Sequence, residues 1–331
     1  MIKKAVQISG FGTYLPERKV SSTSLDLEFG LAEGTLEKQT GVANRHFASK
    51  TESNSWMGAQ ACVRALKEAN LDLSQIDAIV GANGSFEQII PCTAALVQRE
   101  LGEEALGIAC FDVNATCLSF MIGLDQLAWG VQAGQFRNVL LVSTEIASQS
   151  LDRRTPSLFG LFGDGAAACV ISPAQSGSKI LGSVFQTFAD GWDACQIEGG
   201  GNRYHPRDYQ LEQEHRFTFT MDGKKAFKFA YEKLPAAVDQ VLMQTQLTLE
   251  DFALVVPHQA SGRALGLMRA HLKIPEEKWM NTLTHCGNMI AASIPVAFHE
   301  AVKQNRIKRG DRVLLLGTSA GYSQGVLALE Y

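Results

Sequence analysis

Gly134-Gln-Phe-Arg-Asn-Val-Leu-Leu-Val142 and Asn305-Arg-Ile-Lys-Arg-Gly-Asp-Arg-Val-Leu-Leu-Leu316 decide the fold. In each, a polar and basic turn hands over to four consecutive apolar residues, Val139–Val142 and Val313–Leu316. An unbroken apolar run bounded by turn signals fits a strand covered on both faces. A long apolar helical stretch precedes each turn, Leu118–Ala133 in one case and Met289–Gln304 in the other. A second pair lies further upstream, Ser74-Gln-Ile-Asp-Ala-Ile-Val80 and Glu250-Asp-Phe-Ala-Leu-Val-Val256. The same order of elements therefore recurs after roughly 170 residues, far longer than a solenoid repeat. We read a duplicated α/β unit.

The rest of the chain alternates in the same manner. Strands are expected at Ala5–Phe11, Ile76–Ala82, Gly107–Val113, Val139–Ser143 and Ala166–Ser172, then at Phe252–Val256, Val313–Gly317 and Gly325–Glu330. Helices are expected at Asn54–Ala69, Cys92–Leu101, Lys224–Gln244 and Ala264–Leu272, besides the two apolar ones. Such alternation argues for mixed, buried sheets with helices on their faces. The polar stretch Asp190–His215 reads as a surface loop.

Composition narrows the function. Of 331 residues 46% are apolar and 19% charged, which supplies a full core. The net charge of −4, with no dominant Lys/Arg block, lacks the electrostatic footprint of a nucleic-acid binder. The seven cysteines show no C-x-x-C pair and no zinc-ligand spacing. Met1–Gly12 reads as a strand with two lysines, without the apolar core of a leader peptide, and no stretch is long enough to span a bilayer. The expectation is a reduced, cytoplasmic protein.

In a duplicated fold, matching element ends converge where the halves meet. Cys117 begins the apolar helix of the first half, Asn288 begins its counterpart, and His258 follows the strand that ends at Val256. A cysteine at a helix N-terminus is expected to gain thiolate character from the free N–H groups and the dipole. A thiolate is a nucleophile toward thioesters and also a good leaving group. Asn288 equally suits an N-cap. The other cysteines, Cys62, Cys92, Cys110, Cys169, Cys195 and Cys286, read as packing.

Asn114-Ala-Thr-Cys117, Val256-Pro-His258-Gln-Ala and Gly287-Asn288-Met-Ile-Ala-Ala-Ser-Ile-Pro295 resemble the three active-site motifs of beta-ketoacyl-acyl-carrier-protein synthase III, in the thiolase superfamily. Gly12-Thr-Tyr-Leu-Pro16, Thr40-Gly41, Phe162-Gly-Asp-Gly165, Met221-Asp-Gly223 with Phe227-Lys228, and Gly321-Tyr-Ser-Gln-Gly325 match in the same order. The resemblance implies a thiolase-type fold of two βαβαβαββ halves in five layers (αβαβα), divided as residues 1–172 and 173–331, and a homodimer. It implies acyl transfer to Cys117 and then decarboxylative condensation with a malonyl thioester; the alternatives are acyl transfer to an alcohol or amine acceptor, which the retained Asn288 counts against, and head-to-head condensation of two acyl-CoA chains. His258 and Asn288 would donate to the enolate oxygen. The backbone N–H groups of Cys117 and Ala320 would form an oxyanion hole. Acyl-CoA or acyl carrier protein would bring the substrates, with no metal and no redox cofactor.

Two departures qualify that expectation. The family's Trp and Arg that grip the adenine of CoA fall at Thr35 and Gln39, and a further Arg falls near Pro156, close to Arg153 and Arg154. Arg263 and Lys228, with Arg269 nearby, are expected to leave a basic rim suited to an acidic carrier protein. Ile90 stands where the family often places a Phe reaching in from the neighbouring subunit.

Overall fold

The computed structural model describes residues 3–175 and 177–331; Met1 and Ile2, at the start of the expected N-terminal strand, and Ser176 lie outside the described residues. The strands in chain order are β1 (Val6–Tyr14), β2 (Lys19–Ser21), β3 (Asn44–His46), β4 (Ala78–Gly81), β5 (Ala109–Asp112), β6 (Val139–Glu145), β7 (Gly165–Pro173), β8 (Lys179–Thr187), β9 (Cys195–Gln196), β10 (Thr220–Met221), β11 (Leu254–Pro257), β12 (Arg312–Ser319) and β13 (Ser323–Glu330). One sheet has the order β1-β7-β6-β4-β5 and the other β11-β12-β13-β8. The two apolar runs that opened the analysis are the cores of β6 and β12. All seven residues of β6 and all four of β4 are buried, as an unbroken apolar run requires.

The sheets repeat one topology. β4 and β6 pair in parallel, as do β11 and β12, and antiparallel strands β7 and β13 follow on the far side. β8 then takes the place against β13 that β1 takes against β7. β8 was not expected from the sequence, because Gly182 and Ser183 interrupt its apolar pattern. Only β5 lacks a full counterpart. Its equivalent is a single parallel bridge between Val255 and Trp279. β5 is an edge strand with Ala109 and Phe111 exposed.

Five layers result. The helix Asn54–Ala69 covers β1, β6 and β7 from outside, and the helix Gly223–Thr245 covers β8 and β13. Between the sheets lie the helices Ser119–Gln132 and Ser293–Lys303. Phe120, Met121, Leu124, Ile294, Ala297 and Phe298 on these two helices pack with Val80, Leu141, Val256 and Leu315 from both sheets. This is the duplicated thiolase-type architecture expected above.

Candidate active site

Two matching turns lead into the central helices. Asn114 Oδ1 accepts from Thr116 N–H at 3.0 Å, and Asn288 Oδ1 accepts from Ile290 N–H at 2.9 Å. Ala115 N–H donates to Ser119 Oγ at 2.9 Å, and Met289 N–H donates to Ser293 Oγ at 3.0 Å. Thr116 and Ile290 both carry left-handed backbone, with φ of 50° and 47°. Each turn then runs through a 3-10 segment, Thr116–Leu118 and Ile290–Ala292, before the α-helix begins. The duplication thus pairs Asn114 with Asn288 and sets Cys117 opposite Ala291. The turns meet at Gly84, where an added Cβ would lie 2.5 Å from Ile290 Cγ2 and 3.3 Å from Thr116 Cα.

Each candidate is held by a different element. Asn288 is fixed by a parallel bridge to Phe162: its N–H donates to Leu161 C=O at 2.9 Å and its C=O accepts from Gly163 N–H at 3.0 Å. A Cβ on Gly163 would fall 2.1 Å from the Cys286 carbonyl oxygen, so this close approach requires glycine. Asp164 anchors the same turn, accepting from Ala48 N–H at 2.8 Å and Ser148 N–H at 2.9 Å. His258 sits one residue beyond β11, with its N–H on Leu316 C=O at 2.8 Å. A Cβ on Gly317 would lie 2.8 Å from His258 Cβ, so this glycine leaves room for the histidine.

Cys117, His258, Asn288 and Ala320 line one cavity of about 910 Å³. Leu151, Phe162, Phe217, Phe219 and Met221 form an apolar part of its wall. Part of the expected surface loop also lines it, through Ala194, Cys195, Gln196 and Ile197. Cys195 therefore does more than pack. It shares the cavity with Cys117, and burial pushes its thiol up to about 11.

The electrostatics correct one expectation. Burial pushes the Cys117 thiol up to about 12, with Cys195 and Glu145 acting in the same direction and hydrogen bonds from Ser319 and Ala320 N–H opposing them. Desolvation is the largest of these influences and favours the thiol over the thiolate. Burial also pushes His258 down to about 4, leaving a neutral imidazole with one N–H to donate. His258 Nδ1 has no partner among the described residues. Sequence reasoning missed two groups around the nucleophile. Cys117 N–H donates to Ser319 Oγ at 3.0 Å, and Ser319 Oγ donates to Ala115 C=O at 2.7 Å. Glu145 occupies the matching place at the end of β6. It accepts from Gly84 N–H and Ser85 N–H, each at 2.7 Å, from Ser85 Oγ at 2.6 Å, and from Ala291 N–H. Only the internal repeat could have pointed to either residue.

The rim residues lie apart from this group. Arg263 is exposed on the first turn of the helix Gly262–His271, and Lys228 is exposed 3.9 Å from Glu232. Neither lines the cavity, although Ala260 and Ala226, close to them in the chain, do. Arg269 pairs with Glu276 at 3.5 Å. Thr35 and Gln39 lie on the short helix Thr35–Thr40. Arg153 is engaged by Glu28 and by the rings of Phe29 and Phe159, while Arg154 pairs with Asp152 at 2.8 Å and Glu214 at 3.1 Å. Ile90 is 81% exposed and is absent from the cavity wall of the single chain.

Comparison with known proteins agrees with this architecture. Residues 111–195 match the family described as 3-oxoacyl-[acyl-carrier-protein (ACP)] synthase III, and residues 242–331 match its C-terminal part. A beta-ketoacyl-[acyl-carrier-protein] synthase III of Caldanaerobacter subterraneus subsp. tengcongensis is 34% identical over 319 residues, covering 96% of each chain. The crystal structure of 3-oxoacyl-[acyl-carrier-protein] synthase III from Aquifex aeolicus VF5 superposes with a TM-score of 0.89 at 31% identity, covering 98% of this chain and 100% of that one. The priming beta-ketosynthase of the R1128 polyketide biosynthetic pathway gives a TM-score of 0.90 at 29% identity, covering 99% and 96%. With two matching halves, the paired turns and full-length relatives, the chain belongs to the 3-oxoacyl-[acyl-carrier-protein] synthase III family of condensing enzymes.

Proposed function

We propose that this enzyme is an acyltransferase that loads an acyl group onto Cys117 and condenses it with a malonyl thioester, releasing CO2 and a 3-oxoacyl thioester, in fatty acid or related secondary-metabolite biosynthesis. The observation that carries this reading is the gathering of Cys117, His258, Asn288 and Ala320 around one largely apolar cavity. In the first half-reaction the Cys117 sulfur attacks the donor carbonyl and the donor's thiol departs, taking up the proton that Cys117 gives up. In the second, the malonyl thioester loses CO2. The electron pair of the broken C–C bond becomes an enolate, whose oxygen is stabilised by donors from His258 and the Asn288 amide. The enolate carbon attacks the acyl carbonyl and expels the Cys117 thiolate, which is reprotonated. The backbone N–H groups of Cys117 and Ala320 serve the tetrahedral intermediates.

Acyl carrier protein is the favoured handle. Thr35 and Gln39 offer neither an aromatic face nor a cation to a nucleotide, and Arg153 and Arg154 are already paired. Arg263 stays exposed for an acidic partner, and Lys228 is exposed with only a long 3.9 Å approach to Glu232. The same reading takes the enzyme as a cytoplasmic homodimer, with residues 1–172 and 173–331 as its duplicated halves. The unpaired β5 edge and exposed Ile89, Ile90 and Leu106 suit pairing with a second copy. Among the described residues no helix is long and apolar enough to cross a membrane. Intact-mass analysis after incubation with panels of acyl-CoA and acyl-carrier donors tests the proposal: the added mass identifies the first substrate, and no adduct on Cys117 from any thioester would refute it.

A further inference from the structure

We propose that Ser319 is a releasable guard on the oxyanion hole, a positioning residue whose hydroxyl holds the Cys117 N–H and must rotate away for acyl loading. This rests on the proposed chemistry at Cys117 and assigns a role to a residue outside the catalytic set. Ser319 lines the cavity, is 7% exposed, and reaches across the interface of the two halves. Its Oγ accepts from Cys117 N–H at 3.0 Å and spends its own proton on Ala115 C=O at 2.7 Å. A part-buried N–H inside a cavity wall needs a partner, and this hydroxyl is that partner. An incoming thioester oxygen needs the same N–H. It can have it only after the serine oxygen has left.

The duplication shows why this contact is releasable. Glu145 ends β6 as Ser319 ends β12, and it caps Ala291 N–H, the counterpart of Cys117 N–H. Glu145 also holds Gly84 N–H, Ser85 N–H and Ser85 Oγ at 2.6–2.7 Å, so its carboxyl is locked by three further donors besides its approach to Ala291 N–H. That turn carries no nucleophile and its latch never needs to open. In the half that carries the thiol, the latch is reduced to one hydroxyl with two hydrogen bonds. A single χ1 rotation frees it.

The test compares wild type with Ser319→Ala and Ser319→Gly, using one acyl-carrier donor. Loading kcat/KM is followed by intact mass, CO2 release from malonyl-carrier protein is measured in parallel, and Tm is recorded. Loading should accelerate in both variants by about 3- to 10-fold, the factor that one net hydrogen bond represents. CO2 release should respond less. Unchanged or slower loading in folded variants overturns the proposal. So does an equal fall in both half-reactions with a lowered Tm, which marks a mere structural tether. A crystal structure of the acylated wild type is independent of any variant. The acyl oxygen should occupy Cys117 N–H with the serine turned away, and a retained Cys117–Ser319 bond overturns the guard. Wild type that never loads Cys117 instead defeats the proposed function itself.

Discussion

Replacing Asn288 with alanine separates its two bonding roles. Its Oδ1 caps Ile290 N–H, and its Nδ2 makes only a long 3.4 Å contact to Ala260 C=O, which leaves the amide able to donate to an enolate. Loss of a side-chain cap costs about 1 kcal/mol. In a chain of this size that lowers Tm by about 2 °C. Loss of a donor to a developing oxyanion costs about 2.7–4 kcal/mol, or roughly 100- to 1000-fold in rate. Asn114 provides the internal control. It caps the matching turn with the same geometry but does not line the cavity. Asn114→Ala should therefore reproduce the stability loss while disturbing mainly Cys117 and hence loading. Asn288→Ala should keep loading and lose malonyl decarboxylation. The assays are CO2 release from malonyl-carrier protein, intact mass for loading, and thermal melts. Decarboxylation by Asn288→Ala within about threefold of Asn114→Ala would refute the enolate role and leave Asn288 a turn cap.

Four further outcomes follow from the same geometry. Cys117→Ala should abolish the acyl adduct with the fold intact; a stable adduct on Cys195, the other thiol of the cavity, would contradict the assignment. One acyl chain should load faster from carrier protein than from CoA. Added salt should slow the carrier reaction more than the CoA one, and Arg263→Glu should impair the carrier reaction most, because rim charges act on encounter and are screened beyond about 8–10 Å. Gly163→Ala should displace Asn288 through the clash with the Cys286 carbonyl oxygen, which decarboxylation and Tm would report together. His299 is buried, and burial with the nearby Lys303 charge pushes it down to about 4 although Glu68 lies 3.6 Å away. The unfolded chain binds that proton more readily, so the His299 contribution is fully present above about pH 6.5 and falls by up to roughly 3 kcal/mol as pH drops toward 4, alongside a like contribution from buried His258. His299→Gln should flatten that slope in denaturant titrations.

The fold was legible where burial is complete. Val139–Val142 and Val313–Leu316 lie between layers of helix, so their composition alone declares them strands. β8 was hidden because its burial is incomplete and irregular and it is held by its register against β13 rather than by its own propensity. The three motifs led to Cys117, His258 and Asn288, which line one cavity, and element spacing predicted that they start or end matching elements. The charge state of Cys117 was not legible, because desolvation depends on walls contributed by residues far away in the chain. Ser319 was hidden for the same reason. Ser319 ends β12 beyond the expected strand Val313–Gly317, and nothing in its neighbours reveals a partner in Cys117. Cys195 sits in a stretch whose polarity concealed that one side of it walls the cavity.

The most direct test of the central claim starts from isolated acyl-Cys117 enzyme given malonyl-carrier protein labelled with 13C in the carboxyl group. The account predicts one labelled CO2 released and one 3-oxoacyl-carrier product formed for each acyl group leaving Cys117. Loss of the acyl group to water, an alcohol or an amine, with the malonyl label retained, would contradict it.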